Sequence, residues 1–575
     1  MSRHPHDVDE DSPLIEGSNS VNGYRSTSAV GGSGPEDEIE TVEIHLPDDE
    51  DNTKHLNEPT IEEVLAKRLG GASLITVLCG LWVGVTLASL DSSIVATIYA
   101  QIGTEFKKSN EIIWIATSYM LSYTALQPLY GRISDVFGRK TALMFASSVF
   151  FIGSFLCGAA TSLWTLVFAR AIAGIGGGGI NTMTTVIVSD LVPLRERGKY
   201  QGYGNIAYAV GSVVGAPLGG FITDNFGWRY CFFINLPLML ITIYVASSLM
   251  SNYNLEEQDV TSSLVERIKK IDYIGAATIV LAVVAFLLAT SLGGNLRPWS
   301  DPLVIGCLVS SVILGILFCY VEARVAENPL MPYHIISAQT PLACSFVNFW
   351  TVMCSTAMIY IAPLFFQGLL GYSSTQSGVF FLPKVASVST GSVLSGVYMS
   401  RTGEYRTLTI TAAFGSLVSM LCFCTWNPST SVTFMLLTLL IDGFTMGIII
   451  TTALISMLSC VGQKEMATIT SMSYLFRSAG GVIGISATSA IFQAVVKNRL
   501  TELITGPNAA EYIEIARKSM TEVRSLLPVD VLDIVLDTYQ IALRYSFFSC
   551  VIMALLSFIC SFFIQRFELA TKIKK

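Results

Sequence analysis

Asp91 sits inside an apolar stretch, Gly80 to Ala100, that is long enough to cross a bilayer, so a carboxylate lies where hydrocarbon is expected. An ionisable side chain at that depth costs about 2.5–3.5 kcal/mol, and it persists when it faces a bundle interior or a wet cavity. Its neighbours Ser89, Ser92 and Ser93 are small and polar, which fits a hydrated surface. A carboxylate held there can take up and release a proton, attract a cation, or pair with a neighbouring helix. Asp442, in the stretch IDGFTMG, offers a second embedded carboxylate to a cationic solute. Lys384 and Glu322 lie near the ends of apolar stretches, where long side chains can reach the surface. Histidine is excluded from this chemistry: His4, His6, His45 and His55 precede the first apolar stretch and His334 falls in a connection. Proton transfer would therefore fall to carboxylates.

The elements that must position these residues are membrane helices. The chain is 51% hydrophobic and 14% charged over 575 residues, with mean hydropathy +0.56, against roughly 25% charged in a soluble protein. Fourteen apolar segments of spanning length begin near Ser73, Ile112, Thr141, Leu163, Tyr200, Tyr230, Asp272, Leu303, Leu342, Gln376, Arg406, Ser431, Ile469 and Tyr545. An even number places both termini on one side. Arg132, Arg139 and Lys140, then Arg195, Arg197 and Lys199, then Arg267, Lys269 and Lys270, then Arg401 and Arg406, with Lys572, Lys574 and Lys575, all fall on that side, which the charge rule assigns to the cytosol. Lys107 and Lys108 lie opposite, as does a long, partly basic segment from Lys497 to Arg544.

Residues 1–69 are rich in Ser, Gly and acid and lack apolar periodicity, so they are expected to form a disordered cytosolic tail; most of the net charge of −8 arises there. The tail has no basic n-region leading into an apolar core and cleavage site, so the first span is the expected insertion signal. All twelve Cys lie from Cys79 onward without CxxC spacing and read as packing residues. No GxxxxGK[ST] loop is present, and GIGGGG falls inside a hydrophobic helix rather than after a strand, which disfavours an ATP-driven pump. The segment Asn508 to Leu527 has helical apolar spacing and is expected to pack on the non-cytosolic face.

GRISDVFGRK, Gly131 to Lys140, joins the second and third spans. Gly131 and Gly138 permit close approach and tight turning, while Asp135, Arg139 and Lys140 can form charge pairs that clamp helix ends. A degenerate echo, GVYMSRTGEYR from Gly396 to Arg406, joins the tenth and eleventh spans, and two related halves mark many transporters. The loop resembles the signature of the major facilitator superfamily. LDSSIVATI (Leu90 to Ile98), LVFARAIAGIGGGG (Leu166 to Gly179), GSVVGAPLGG (Gly211 to Gly220), WRYCFFINLP (Trp228 to Pro237), YIAPLFFQGLLGYSSTQSGVFFLP (Tyr360 to Pro383) and FRSAGGVIGIS (Phe476 to Ser486) resemble motifs of its fourteen-helix drug:proton antiporter branch. Two positions depart from that pattern. Ala173 stands before Gly174 where glutamine is frequent, removing a polar group from the expected cavity lining, and Ala216 stands before Pro217 where glycine is usual. Gly211, Gly215, Gly219 and Gly220, with Pro217, still form a small-residue helix-packing motif.

The resemblance implies an all-α polytopic protein: a six-helix bundle over 70–250, a linker and two extra helices over 251–325, a second six-helix bundle over 326–567 with a long non-cytosolic loop at 497–544, and a cytosolic end at 568–575. It implies a role in proton transfer, or its electrostatic control, for Arg170, which is expected to share proton coupling with Asp91; Asp91, Asp442 and Asn348 are expected to line the substrate cavity. In the tail, Glu10, Leu14 and Ile15 have the ExxxLI spacing read by sorting adaptors, and with the antiporter motifs this resembles fungal vacuolar basic amino acid transporters. The expectation is a proton-coupled antiporter, not an enzyme and without cofactor or metal, that moves lysine, histidine or arginine from cytosol into the vacuole. Its expected partners are a cationic amino acid, protons, the bilayer and a sorting adaptor. A plasma-membrane multidrug:proton exporter and a siderophore transporter are the alternatives, and a transport-inactive receptor is disfavoured by the intact loop motif.

Overall fold

The computed structural model describes Leu69 and, from Ala72 to Leu569, all residues except 107–110, 256–263, 270, 294–296, 327, 463–464, 506–507 and 519–522. The sorting spacing Glu10, Leu14, Ile15 and the residues after 569 lie outside the described residues. Leu69, assigned by composition to the tail, is buried in the same apolar cluster as Leu78 and Met183.

Fourteen long helices are found among the described residues. They are α1 (Leu74–Phe106), α2 (Ile113–Phe137), α3 (Arg139–Gly158), α4 (Leu163–Leu191), α5 (Leu194–Phe226), α6 (Asn235–Ser248), α7 (Tyr273–Leu292), α8 (Pro302–Arg324), α9 (Gln339–Pro363), α10 (Ser374–Thr402), α11 (Arg406–Cys424), α12 (Val432–Ser459), α13 (Met466–Leu503) and α14 (Val529–Ser561). Their boundaries follow local chemistry. Asp272 accepts from the Ile274 and Gly275 amides, Asp301 caps α8 ahead of Pro302, and Ser373 forms a reciprocal cap with Gln376. Gly138 lies between α2 and α3 at φ +94°, where a side chain would be strained.

Thirteen of the described spans are long and apolar enough to cross a bilayer. The remaining long helix is α2, whose Ser118, Tyr119, Ser122, Tyr123, Thr124 and Gln127 lower its hydropathy. Those groups face protein rather than lipid: Tyr119, Tyr123 and Thr124 line a cavity, and Gln127 and Ser122 hydrogen-bond within the bundle.

Helices α1–α6 form one half and α9–α14 the other; the halves meet through α5 on α10 and α2 on α13, while α7 and α8 pair with each other and α7 lies against α2 and α13. Glycines repeat the same internal joints in both halves. On α5, Gly211 and Gly215 have no room for a Cβ because the Thr86 and Leu90 carbonyls of α1 lie against them; on α13, Gly480 and Gly484 meet the Phe349 and Met353 carbonyls of α9 in the same way. Likewise Gly174 and Gly178 of α4 meet the Tyr119 and Tyr123 carbonyls of α2, and Gly443 and Gly447 of α12 meet the Lys384 and Val388 carbonyls of α10. This register pairs Tyr208 with Arg477 and Ala173 with Asp442 across the two halves.

Three expectations change. Gly220 does not join the packing face: at about 100° per residue it turns away from Gly219 and has no atom within 4 Å of a built Cβ. Ala173 faces Gly153 of α3 instead of a cavity, because the glycine lets the two backbones touch there. The loop expected over 497–544 is shorter, since α13 continues to Leu503 and α14 starts at Val529. Val535, Tyr539, Ala542 and Leu543 of that early turn are buried, and between the helices Ala509–Lys518 packs Ala516 into the same cluster.

Candidate functional site

Between the halves lies a cavity of ≈650 Å³, within the range of small-molecule sites. It extends from Tyr200 and Gln201 on one side of the midplane to Val95, Ala116 and Ile359 on the other. Most of the wall is apolar or aromatic, with Tyr119, Tyr123, Tyr208, Asn181 and Asn205 as polar points. Among the described residues the charged side chains on it are Arg170, Lys384 and Arg477, and none of the lining is acidic.

The expected carboxylates lie one layer behind that wall. Asp91 on α1 accepts from Arg170 Nη1 of α4 at 2.6 Å and from Asn235 Nδ2 of α6 at 3.1 Å. The Asp91 and Arg170 side chains are each 2% exposed, and the guanidinium lies 4.1 Å from the Tyr119 ring centroid. Of the neighbouring serines, Ser92 reaches the cavity, whereas Ser93 donates to the Ser212 carbonyl and Ser89 to that of Thr86. Asp442 pairs with Lys384 Nζ at 2.8 Å, both buried. Lys384 therefore does not reach for the surface; its charge is held within the bundle. Asn348 is fully buried, donating to Ser473 Oγ at 3.2 Å, and joins α9 to α13 away from the wall. Glu322 is also buried and accepts from the Leu330 and Met331 amides.

The physical reason is common to both pairs. A carboxylate in low dielectric needs a counter-ion, and a long cationic side chain can satisfy it while extending its own head to a polar cavity. The partner residues were only partly legible: Arg170 through its motif, and Lys384 not at all, because it follows Pro383 at what looks like a helix entrance although Pro383 lies within α10.

At one end of the molecule, hereafter the clamp end, Arg139 donates from Nη1 to Asp135 at 2.7 Å and from Nε to Asp190 at 2.8 Å, tying α2, α3 and α4. Asp190 was not among the expected clamp residues; it closes α4 at LVFARAIAGIGGGG plus eleven residues, a position without local pattern. Lys140 makes no charge pair among the described residues and donates to the Ser247 carbonyl at 2.6 Å. Gly131 lies against Ala467 and Ser471 of α13, on the seam between halves. The same end is closed by Arg195, which donates to the Ser400 and Arg401 carbonyls of α10, both at 2.7 Å. Asn205–Ser392 and Thr185–Tyr474 hydrogen bonds, each 2.7 Å, continue the seam toward the cavity. These contacts close the seam between the halves at the clamp end.

Comparison with known proteins agrees with this architecture. The model of the Major Facilitator Superfamily matches residues 81–485. The chain is 38% identical to the multidrug resistance protein fnx1 of Schizosaccharomyces pombe, over 87% of this chain and 94% of that protein. It is also 38% identical to the vacuolar membrane amino acid uptake transporter fnx2 of the same yeast, over 86% and 85%. Among solved structures, the human organic anion transporter MFSD10 superposes with TM-score 0.54 at 13% identity, covering 85% of this chain and 100% of that one. Twelve helices in two joined halves with a further helix pair, a cavity between the halves, and a family match across both halves make this chain a membrane transporter that belongs to the Major Facilitator Superfamily.

Proposed function

We propose that the chain is a proton-coupled antiporter that carries basic amino acids from the cytosol into an acidic vacuole. The observation that carries the reading is the buried Asp91–Arg170 pair, with a titratable carboxylate behind the wall and its cationic partner on it. The likeness to a vacuolar amino acid uptake transporter supports the choice of cargo and membrane.

Charge supplies the coupling. Arg170, Lys384 and Arg477 with Asp91 and Asp442 give the site a net charge of +1 when both carboxylates are ionised. Protonating Asp91 from the acidic side raises this to +2, disfavours a cationic amino acid and releases it there. With the clamp end open to the cytosol, proton loss from Asp91 restores the site for the next cation. Proton and cargo thereby exclude each other, which is the requirement for exchange. The state described, shut at the clamp end, is the one from which cargo would leave to the vacuole, with the clamp end cytosolic as its basic connections require. Rocking of the two halves about the cavity would reverse access.

A second reading, a multidrug exporter of the plasma membrane, draws on the likeness to a multidrug resistance protein and on the largely apolar wall. ATP-energised vacuolar vesicles from cells with and without the protein separate the two. Protein-dependent uptake of labelled lysine, arginine or histidine supports the vacuolar reading. Vesicle uptake equal in both preparations, with altered drug sensitivity of intact cells, supports the exporter.

A further inference from the structure

Arg477 differs from the other two cavity cations. Arg170 has Asp91 and Lys384 has Asp442, but Arg477 makes no ion pair or side-chain hydrogen bond among the described residues. Its guanidinium stacks 5.0 Å from the Tyr474 ring centroid, and Nη1 is buried without a hydrogen-bond partner. The residue sits one helical turn before Gly480, whose contact with α9 fixes the helix position, and it lines the cavity. In the repeat, the matching position of α5 is Tyr208, also on the wall, so only one half places a charge there. A guanidinium nitrogen buried without a partner is costly, and that cost falls when a ligand supplies an oxyanion.

We propose that Arg477 binds the carboxylate of the transported amino acid, so that the cavity selects amino acids over amines of the same shape. This rests on the amino acid reading above. A guanidinium receives a carboxylate through two parallel N–H···O bonds, which fixes orientation as well as position. The rest of the cargo then meets the stacked Tyr119 and Tyr123 rings and the Asn181 and Asn205 side chains, whose π faces and carbonyl oxygens accept ammonium groups. The wall's excess of positive charge works against a ligand that is only cationic, such as a diamine, because nothing on that ligand offsets Arg477.

The test uses vesicles carrying the full-length protein, with labelled lysine and pentane-1,5-diamine, which is lysine without its carboxylate. The wild type should take up lysine and discriminate strongly against the diamine. Arg477→Gln, at matched protein level, should raise the half-saturating lysine concentration by about tenfold or more, the range expected for losing a charge-assisted hydrogen bond, and should narrow the preference over the diamine. Arg477→Lys, which keeps the charge but not the fork, should fall between. Unchanged half-saturation and unchanged preference in Arg477→Gln would overturn the carboxylate site while leaving the amino acid reading intact. If that variant does not fold, the wild type alone decides: equal handling of lysine and diamine overturns the site. Uptake of no basic amino acid by the wild type overturns both readings.

Discussion

Asp91 and Arg170 are 79 positions apart in the chain yet share a 2.6 Å hydrogen bond in the interior. The aspartate was conspicuous in the sequence because charge is rare in an apolar stretch. Its pairing was not, because it depends on how α1 and α4 rotate about their axes. The pairing changes what neutralisation does. Asp91→Asn removes the titrating group, and it also leaves Arg170 without a counter-ion, a loss of about 3–5 kcal/mol for a broken buried pair. The expected outcome is a lower thermal-unfolding temperature in detergent, largely recovered by adding Arg170→Met, with gradient-driven transport absent from both variants. Recovery of transport in the double variant would mean the pair is structural only. At the opposite end of α1, Glu105 accepts from the Trp228 indole and the Arg229 guanidinium, which together hold its carboxyl below the usual value of 4.5 against the smaller opposing effect of burial. A depressed carboxylate stabilises the fold above its ordinary value and loses that contribution as pH falls through the lowered one. Glu105→Gln should therefore lower thermal stability near neutrality and make little difference in strong acid; a deficit that persists in strong acid would assign the effect to packing against Trp228.

At the scale of helices, nearly all spans were legible from hydropathy, and their ends less so. The start of α14 illustrates why: Val535, Tyr539 and Leu543 are buried against protein rather than lipid, so the polar residues between them hide the helix from a hydropathy reading. The glycine pattern was legible as a packing face on α5, but the matching joints on α12 and α13 needed contacts to be seen. Gly178 has the Tyr123 carbonyl against the place of a Cβ, so Gly178→Val should cost several kcal/mol through overpacking, on the order of 1–3 or more, and reduce the folded yield measured by size exclusion. The clamp belongs to this scale as well. Asp135→Asn removes one partner of Arg139, and Arg195→Ala removes two hydrogen bonds that hold α5 to α10 in the closed state. Both should shift the population toward access from the clamp end. A cysteine in place of Ser392, which is buried on the seam where it meets Asn205, should then react faster with a membrane-impermeant thiol reagent applied to that side; equal reaction rates in parent and variant would show that Arg195 does not hold the gate.

For the molecule as a whole, composition and the order of motifs were enough to anticipate two six-helix halves with an extra pair, because the membrane allows few alternatives. The sign of the cavity was not anticipated. Embedded carboxylates drew attention to a cation-attracting wall, whereas the folded chain turns Arg170, Lys384 and Arg477 to the cavity and keeps the carboxylates behind. The sorting spacing proposed for the tail, Glu10, Leu14 and Ile15, lies outside the described residues; on that proposal, replacing Leu14 and Ile15 with Ala should redirect a tagged protein from the vacuole to the cell surface, as seen by microscopy. The central claim is exchange of a proton for a basic amino acid through Asp91, and purified protein in acid-loaded liposomes tests it without other transporters. External lysine should alkalinise the liposome interior, reported by a trapped pH dye, in wild type and not in Asp91→Asn at equal protein content. Lysine entry with no change in internal pH, or the same alkalinisation in both proteins, would contradict the account.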